Sequence, residues 1–189
     1  MSDYGRYIVV EGLEGAGKSS AIETICSVLN NHNIEYTQCR EPGGTPIAES
    51  LRQIIKGQFD NSEPLFDETE LLLMYAARKQ LLDTLIKPTL ESGKWVISDR
   101  NEWSSITYQG YGRGLDLNFI YELSKFTVGN LQPDRIVYLE IDPVVGLKRA
   151  SLRGEYDRIE QESLIFFRNR KNIAEMISLY RECVIETSR

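Results

Sequence analysis

The run GLEGAGKS, from Gly12 to Ser19, constrains this chain more than any other stretch of it. It follows the short apolar run YIVV (7–10), and beyond it Ile22, Ile25 and Leu29 recur at helical spacing as far as Asn31. This is the G-x-x-x-x-G-K-[ST] pattern between a strand and a helix, the setting in which it holds phosphate. Gly12, Gly15 and Gly17 let backbone N–H groups turn inward, and the helix start adds its positive end. Lys18 supplies a mobile charge to the outer phosphates, and the Ser19 hydroxyl suits Mg2+. The residues expected around a nucleoside triphosphate are Gly12, Leu13, Glu14, Gly15, Ala16, Gly17, Lys18, Ser19 and Ser20. One of them is out of character: Glu14 is an anion inside a phosphate loop.

Short β-rich runs recur at IEYTQC (34–39), WVIS (95–98), IVYLEI (136–141) and CVIET (183–187), with helical patterns between them. Near-continuous apolar strands separated by helices indicate an α/β protein with a parallel sheet covered on both faces. Asp67 with Glu70 reads as an acidic capping box ahead of LLLMYAARKQLLDTLI, and a last helix is expected from about Glu160 to Tyr180. With 189 residues, no repeats and no low-complexity linker, one domain over 1–189 is expected. The net charge of −6 argues against a nucleic-acid binder but leaves room for a local basic cluster. The 3 cysteines show no CxxC spacing, which suits buried thiols in a reducing compartment. The single histidine, His32, lies in the polar run NNHN, so no histidine-based metal centre or triad is available. No apolar run approaches the roughly 18 residues of a membrane span. MSDYGRY lacks a signal-peptide pattern, so a cytoplasmic location away from membranes is expected.

The DxxG and NKxD pairs of guanine-nucleotide switches are absent. Other charged elements follow the strands instead: REPGG (40–44), SDR (98–100), YQGYGRG (108–114) and RASLRGEYDR (149–158). In a wound parallel sheet the loops after the strands share one edge, so Arg40, Asp99 and Arg100 should converge on the phosphate loop. Several arginines around one anion site suit two phosphorylated ligands, and phosphoryl transfer needs distributed positive charge more than covalent chemistry. A kinase acting on a phosphorylated acceptor is expected.

GLEGAGKS, REPGGT, YAAR, DR, YQGYGRG and RGEYDRIEQES, in this order and spacing, resemble the thymidylate kinase family, of the bacterial type with arginines in its lid. The likeness runs from about Tyr7 to Ser163, and more loosely to the C-terminus. It implies the P-loop nucleoside-monophosphate-kinase fold, with a five-stranded parallel sheet of order 2-3-1-4-5 and helices on both faces. It also implies transfer of the γ-phosphoryl of MgATP to dTMP, giving dTDP for dTTP synthesis, in a homodimer. On that resemblance Glu14 contacts the 3′-hydroxyl of dTMP, Arg100 and Arg52 its 5′-phosphate, and Arg78 the thymine carbonyl. Ser105 and Gln109 lie beside the base, while Tyr108 is equally suited to packing. Arg149, Arg153 and Arg158 belong to a lid at about 146–160, with Arg149 and Arg153 joining Lys18 as catalytic candidates. Ser19, Asp99 and Glu11 are the candidate Mg2+ ligands, although Glu11 is equally suited to fixing the loop.

Three departures bear on these expectations. The family's FYAAR reads MYAAR here, so Met74 takes the place of the phenylalanine that stacks on thymine, which puts base selectivity or affinity in question. Ser151 stands where close relatives carry another lid arginine, and the chain stops at Arg189, where relatives continue. The short end is expected to weaken ATP binding more than dTMP binding. Two alternatives stay open: a kinase of another nucleoside monophosphate, and a catalytically impaired nucleotide-binding module.

Overall fold

A computed structural model of the chain describes residues 4–57, 63–152 and 184–186. Five strands, β1 (Tyr7–Gly12), β2 (Tyr36–Arg40), β3 (Trp95–Asp99), β4 (Arg135–Glu140) and β5 (Val184–Glu186), form one sheet. Its order is β2-β3-β1-β4-β5, all neighbours are parallel, and this is the topology the sequence led us to expect. The central strand explains the near-continuous apolar pattern. Val9 and Val10 are both fully buried but point to opposite faces, as successive strand residues must. Val10 packs with Ile97, Tyr138, Ile22, Cys26 and Leu29 under α1 (Lys18–Asn31), whereas Val9 packs with Val96, Leu81, Ile86 and Leu90.

Strand β2 begins at Tyr36 rather than Ile34. The Ile34 N–H instead donates to the Leu29 carbonyl (3.0 Å) and closes the turn after α1. The loop after β2 leads into α2 (Pro46–Ile55), capped by the Thr45 hydroxyl, which accepts from the Ala48 N–H at 3.4 Å. Helix α3 (Asp67–Leu81) corrects the expected capping box, because Phe66 is its N-cap and no side chain caps it. The carboxylates of Asp67 and Glu70 are engaged by Arg113 instead, from a segment far along the chain. The long apolar pattern also does not continue as one α-helix. It passes through a π-helical segment, Leu82–Ile86, into α4 (Lys87–Glu91). Pro88 accounts for the wider turn, since its ring crowds the carbonyl four residues before it and offers no N–H.

After β3 comes the short α5 (Glu102–Ser105), a second π-helical segment, Ile106–Gly112, and α6 (Leu117–Thr127). Leu71, Tyr75, Ile106 and Ile120 join these elements to α3 in a separate small core. The last described helix is α7 (Pro143–Ser151), capped by Asp142, whose carboxylate accepts from the N–H of Val144 (2.9 Å) and Val145 (3.2 Å). The helix expected between about 160 and 180, and the end residues of the last strand run, lie outside the described residues.

Helix α7 meets the phosphate loop backbone to backbone. A Cβ on Gly146 would lie 2.6 Å from the Glu14 carbonyl oxygen, and one on Gly15 would run into the Gly146 carbonyl. Gly146→Ala is therefore expected to destabilise the protein by about 1–3 kcal/mol, as overpacking does. Gly129, at a positive φ but with open space around it, is a control for strain without a clash. Urea unfolding of the two alanine variants compares them directly.

Candidate active site

The loop between β1 and α1 takes its shape from its glycines. Gly12, Gly15 and Gly17 have φ of 147°, 76° and 92°, values that residues with a Cβ rarely adopt. The Ala16 N–H closes the turn on the Leu13 carbonyl at 3.2 Å. Leu13 and Ala16 turn their side chains into the core, so only their backbone can serve a ligand. Gly17 is the N-cap of α1, whose first turn holds no acidic residue, and so the positive end of the helix is not neutralised. Ser19 and Ser20 are exposed on that first turn. The Lys18 ammonium reaches back to the carbonyls of Gly12 and Leu13, each at 3.1 Å. Burial, and then the nearby Arg100 charge, push its pKa down.

Beside this loop lies a cleft of about 380 Å³. Its lining includes Lys18 and Asp99 together with all seven residues placed on the acceptor side: Glu14, Arg52, Met74, Arg78, Arg100, Ser105 and Gln109. Arg40 and Tyr108 line it too. Arg149 does not; it is exposed on α7. Arg153 and Arg158, and with them most of the expected lid, lie outside the described residues.

Arg100 is held from several sides. Its φ of 72° is in the left-handed region, and its N–H is tied to the Val10 carbonyl at 3.0 Å. The guanidinium pairs with Glu14, donates to the Ser104 hydroxyl (3.0 Å), and lies 5.5 Å from the centre of the Tyr108 ring. Burial opposes its charge, but Glu14, Tyr108, Glu11 and Asp99 together outweigh that, and its pKa is raised. Glu11 is only 2% exposed. Its Oε1 accepts from the Asn101 N–H (2.9 Å), both oxygens lie within 3.1 Å of the Ser104 hydroxyl, and Arg100 is 3.7 Å away. Burial pushes its carboxyl up. Glu11 thus anchors the turn after β3, with its oxygens already engaged. Asp99 differs, since its Oδ1 is buried without a hydrogen-bond partner. An oxygen donor in that state, close enough to the loop to act on the Lys18 charge, fits a hard cation that brings its other oxygens from a nucleotide and water. No group of three or more His, Cys, Asp or Glu among the described residues is placed to hold a metal by itself.

Arg78 on α3 is 4% exposed. Its Nε donates to Glu41 at 2.6 Å, and its Nη2 to Ser105 Oγ (3.0 Å) and the Asn101 carbonyl (3.4 Å). Its Nη1 is buried without a partner, on a side chain that lines the cleft. Burial pushes the Glu41 carboxyl up against the pull of Arg78; burial also opposes the charge of Arg78, but Glu41, Tyr75 and Glu102 together outweigh it and its pKa is raised.

Glu41 and Glu49 were not picked out from the sequence as supports of this site, nor were the contacts made within it by Arg52 and Glu70. Glu49 accepts from the Gly44 N–H (2.8 Å) and from Arg40 (3.0 Å), and Arg52 donates to the Pro42 carbonyl (2.7 Å). Together they shape the loop that carries Glu41. Buried Glu70 accepts from Gln109 Nε2 (2.8 Å) and pairs with Arg113. The available signal was spacing: Glu70, Met74 and Arg78 repeat every four residues, as do Ser105, Gln109 and Arg113.

Among known proteins, a family profile described as thymidylate kinase matches residues 10–189. The chain is 55% identical over 162 residues to the thymidylate kinase of Pseudoalteromonas translucida, covering 86% of this chain and 77% of that protein. It is 56% identical over 163 residues to that of Colwellia psychrerythraea, covering 86% and 76%. The crystal structure of thymidylate kinase from Ehrlichia chaffeensis superposes with a TM-score of 0.71 at 26% identity, covering 97% of this chain and 88% of that one.

The buried Arg78–Glu41 pair allows a stability test. Arg78→Leu leaves Glu41 without its counter-charge and should cost about 3–5 kcal/mol, most of which Arg78→Leu/Glu41→Leu should recover. The deficit of the single variant should shrink as pH falls. Burial raises the folded-state pKa of Glu41 above its unfolded value, so protonation on acidification favours the folded chain. Urea melts at neutral pH and near the ordinary carboxylate range check both points.

Proposed function

The chain belongs to the thymidylate kinase family and phosphorylates dTMP to dTDP at the expense of ATP, and we propose that the cleft beside the phosphate loop binds dTMP in line with the γ-phosphate. The observation that carries this reading is that one cleft brings Lys18 together with all seven residues expected around the acceptor. Its lining also reconciles the acidic chain with an anionic substrate pair. Seven cationic side chains (Lys18, Arg40, Arg52, Lys56, Arg78, Arg100, Arg113) face four carboxylates (Glu14, Glu41, Asp67, Asp99) in a protein of net charge −6. A concave cationic site of this kind concentrates polyanions locally.

In this reading Gly12 to Ser20 wrap the phosphates of ATP with backbone N–H groups and the start of α1. Lys18 leaves its carbonyl partners for the outer phosphates. Arg100 and Arg52 hold the 5′-phosphate of dTMP. Glu14, which pairs with Arg100, accepts from the 3′-hydroxyl and fixes the sugar beside the γ-phosphate. The unpartnered Nη1 of Arg78 donates to a thymine carbonyl. Met74 packs its thioether on the base, a contact worth about 0.3–1.5 kcal/mol in place of an aromatic stack. Ser105 and Gln109 flank the ring.

An oxygen of the acceptor phosphate attacks the γ-phosphorus, and the bond to the ADP oxygen breaks. That acceptor oxygen is already ionised at neutral pH, so no side chain has to remove a proton. Mg2+ fits Ser19 and Asp99, with Glu11 behind them, and when bound would neutralise charge on the transferring group. Arg149, Arg153 and Arg158 belong to a lid at about 146–160 of a single 1–189 kinase domain. Phe119 and Phe126 on α6, 49% and 80% exposed, support a homodimer packed through helices. We place the enzyme in the cytoplasm; both described cysteines, Cys26 and Cys39, are free thiols, and no described helix is long and apolar enough to cross a membrane.

ADP release with MgATP across dTMP, dUMP, UMP, CMP and GMP tests the assignment. Turnover should be strongest with dTMP, and preference for another acceptor would move the substrate while keeping the chemistry. Lys18→Ala should lower kcat by about two to three orders of magnitude in a folded protein, whereas near-normal turnover would remove Lys18 from the reaction. Arg100→Ala should act mainly through the KM for the acceptor, and a defect confined to ATP would contradict its placement.

A further inference from the structure

We propose that Glu70, a buried residue set back from the acceptor, decides which pyrimidines the cleft accepts by fixing the amide of Gln109. The proposal rests on the placement of dTMP described above and extends it to base selectivity.

Two facing ladders form the base end of the cleft. Glu70, Met74 and Arg78 follow one another at four-residue steps on α3. Ser105, Gln109 and Arg113 do the same through the π-helical segment, whose wider turn keeps such steps on one face. The ladders are tied at both ends: Arg78 Nη2 donates to Ser105 Oγ at 3.0 Å, and Gln109 Nε2 donates to Glu70 Oε1 at 2.8 Å. Met74 lies between the two ties and lines the cleft, as do Arg78 and Gln109.

The polar atoms left for a ligand follow from these ties. A side-chain amide has a donor end and an acceptor end, and an ionised carboxylate can only accept. Glu70 is 1% exposed and is held in place by Arg113 at 2.8 Å. It therefore draws the NH2 of Gln109 to itself and leaves Gln109 Oε1, an acceptor, as the end free for the cleft; that atom has no partner among the described residues. Arg78 contributes its unpartnered Nη1, which can only donate. The base end thus presents one donor and one acceptor.

Thymine and uracil answer that pair with a C4 carbonyl and an N3–H. Cytosine offers the reverse, a 4-amino donor and a bare N3 acceptor, and is mismatched at both atoms. A site built on fixed hydrogen-bonding groups rejects an analogue that leaves them unpaired by about 10⁴–10⁵-fold. Thymine and uracil show the same edge, so Glu70 cannot separate them. Glu70 is thus a positioning residue for the keto-pyrimidine edge.

The test is kcat/KM of Glu70→Gln with dTMP, dUMP and dCMP. The substituted amide can pair with Gln109 in either orientation, so the acceptor end is no longer fixed. The dTMP-to-dCMP preference should fall by about tenfold or more, through KM for the acceptor, with kcat and KM for ATP little changed; a tenfold change corresponds to about 1.4 kcal/mol. The dTMP-to-dUMP ratio should stay at its wild-type value. An equal loss on all three acceptors would make Glu70 merely structural and overturn the proposal. Gln109→Ala separates this failure from failure of the underlying placement. If it leaves the dTMP-to-dCMP ratio untouched, Gln109 does not read the base and the placement itself fails. If it shifts the ratio while folded Glu70→Gln does not, only the role of Glu70 is overturned. Should Glu70→Gln not fold, the wild-type enzyme still decides. N3-methylated dTMP should bind at least tenfold more weakly than dTMP, and equal binding would rule out an acceptor facing N3.

Discussion

The guanidinium of Arg78 joins three stretches of chain that are far apart in sequence. It sits on α3, pairs with Glu41 in the loop after β2, and donates to Asn101 and Ser105 after β3. Removing its charge would loosen the loop carrying Glu41, the turn carrying Arg100 and the segment carrying Gln109 together. A buried ion pair is often no better for stability than well-packed apolar residues. What it adds here is geometry, because a planar fork with fixed donors can hold three partners and still keep its Nη1 for a ligand.

The same economy runs through the rest of the cleft. Arg100 is paired with Glu14, Arg113 with Asp67 and Glu70, and Arg40 with Glu49. Each of these arginines meets an internal carboxylate, so their charges gather without being desolvated and unpaired, while Lys18 is held by the carbonyls of Gly12 and Leu13. The carboxylates that hold the scaffold, Glu41, Glu70 and Glu11, are buried, whereas Glu14 is partly accessible at the loop. The anion that looked misplaced within the phosphate loop thus lines the cleft.

How much of this the sequence disclosed depended on the range of the interaction. The phosphate loop was legible because its glycines, lysine and flanking strand and helix are neighbours in the chain, and local geometry follows from local residue types. The sheet order was legible through resemblance to a known family. Arg78 and Gln109 could be named only through that resemblance, since nothing near them announces a base. Their supports, Glu41 and Glu70, were missed because the pairs bridge 37 and 39 residues. Tertiary proximity alone creates those pairs. Asp67 and Glu70 show the converse error: a sound local motif was outbid by Arg113, 46 and 43 residues away. The break at Leu82 had a visible cause in Pro88, and it went unread because the apolar spacing continues across it.

The contact between Gly15 and Gly146 has a mechanical meaning. Where two elements touch through side chains, rotamers can absorb a small displacement of either one. Here the carbonyls of Glu14 and Gly146 meet bare backbone, with no room for even a methyl group. A shift of α7 toward the loop must move the peptide planes that would face the donor phosphates, and a shift of those planes must move α7. The helix that carries Arg149 and the glycine-rich loop therefore behave as one stiff linkage, whose tolerance is set by the absence of two β-carbons.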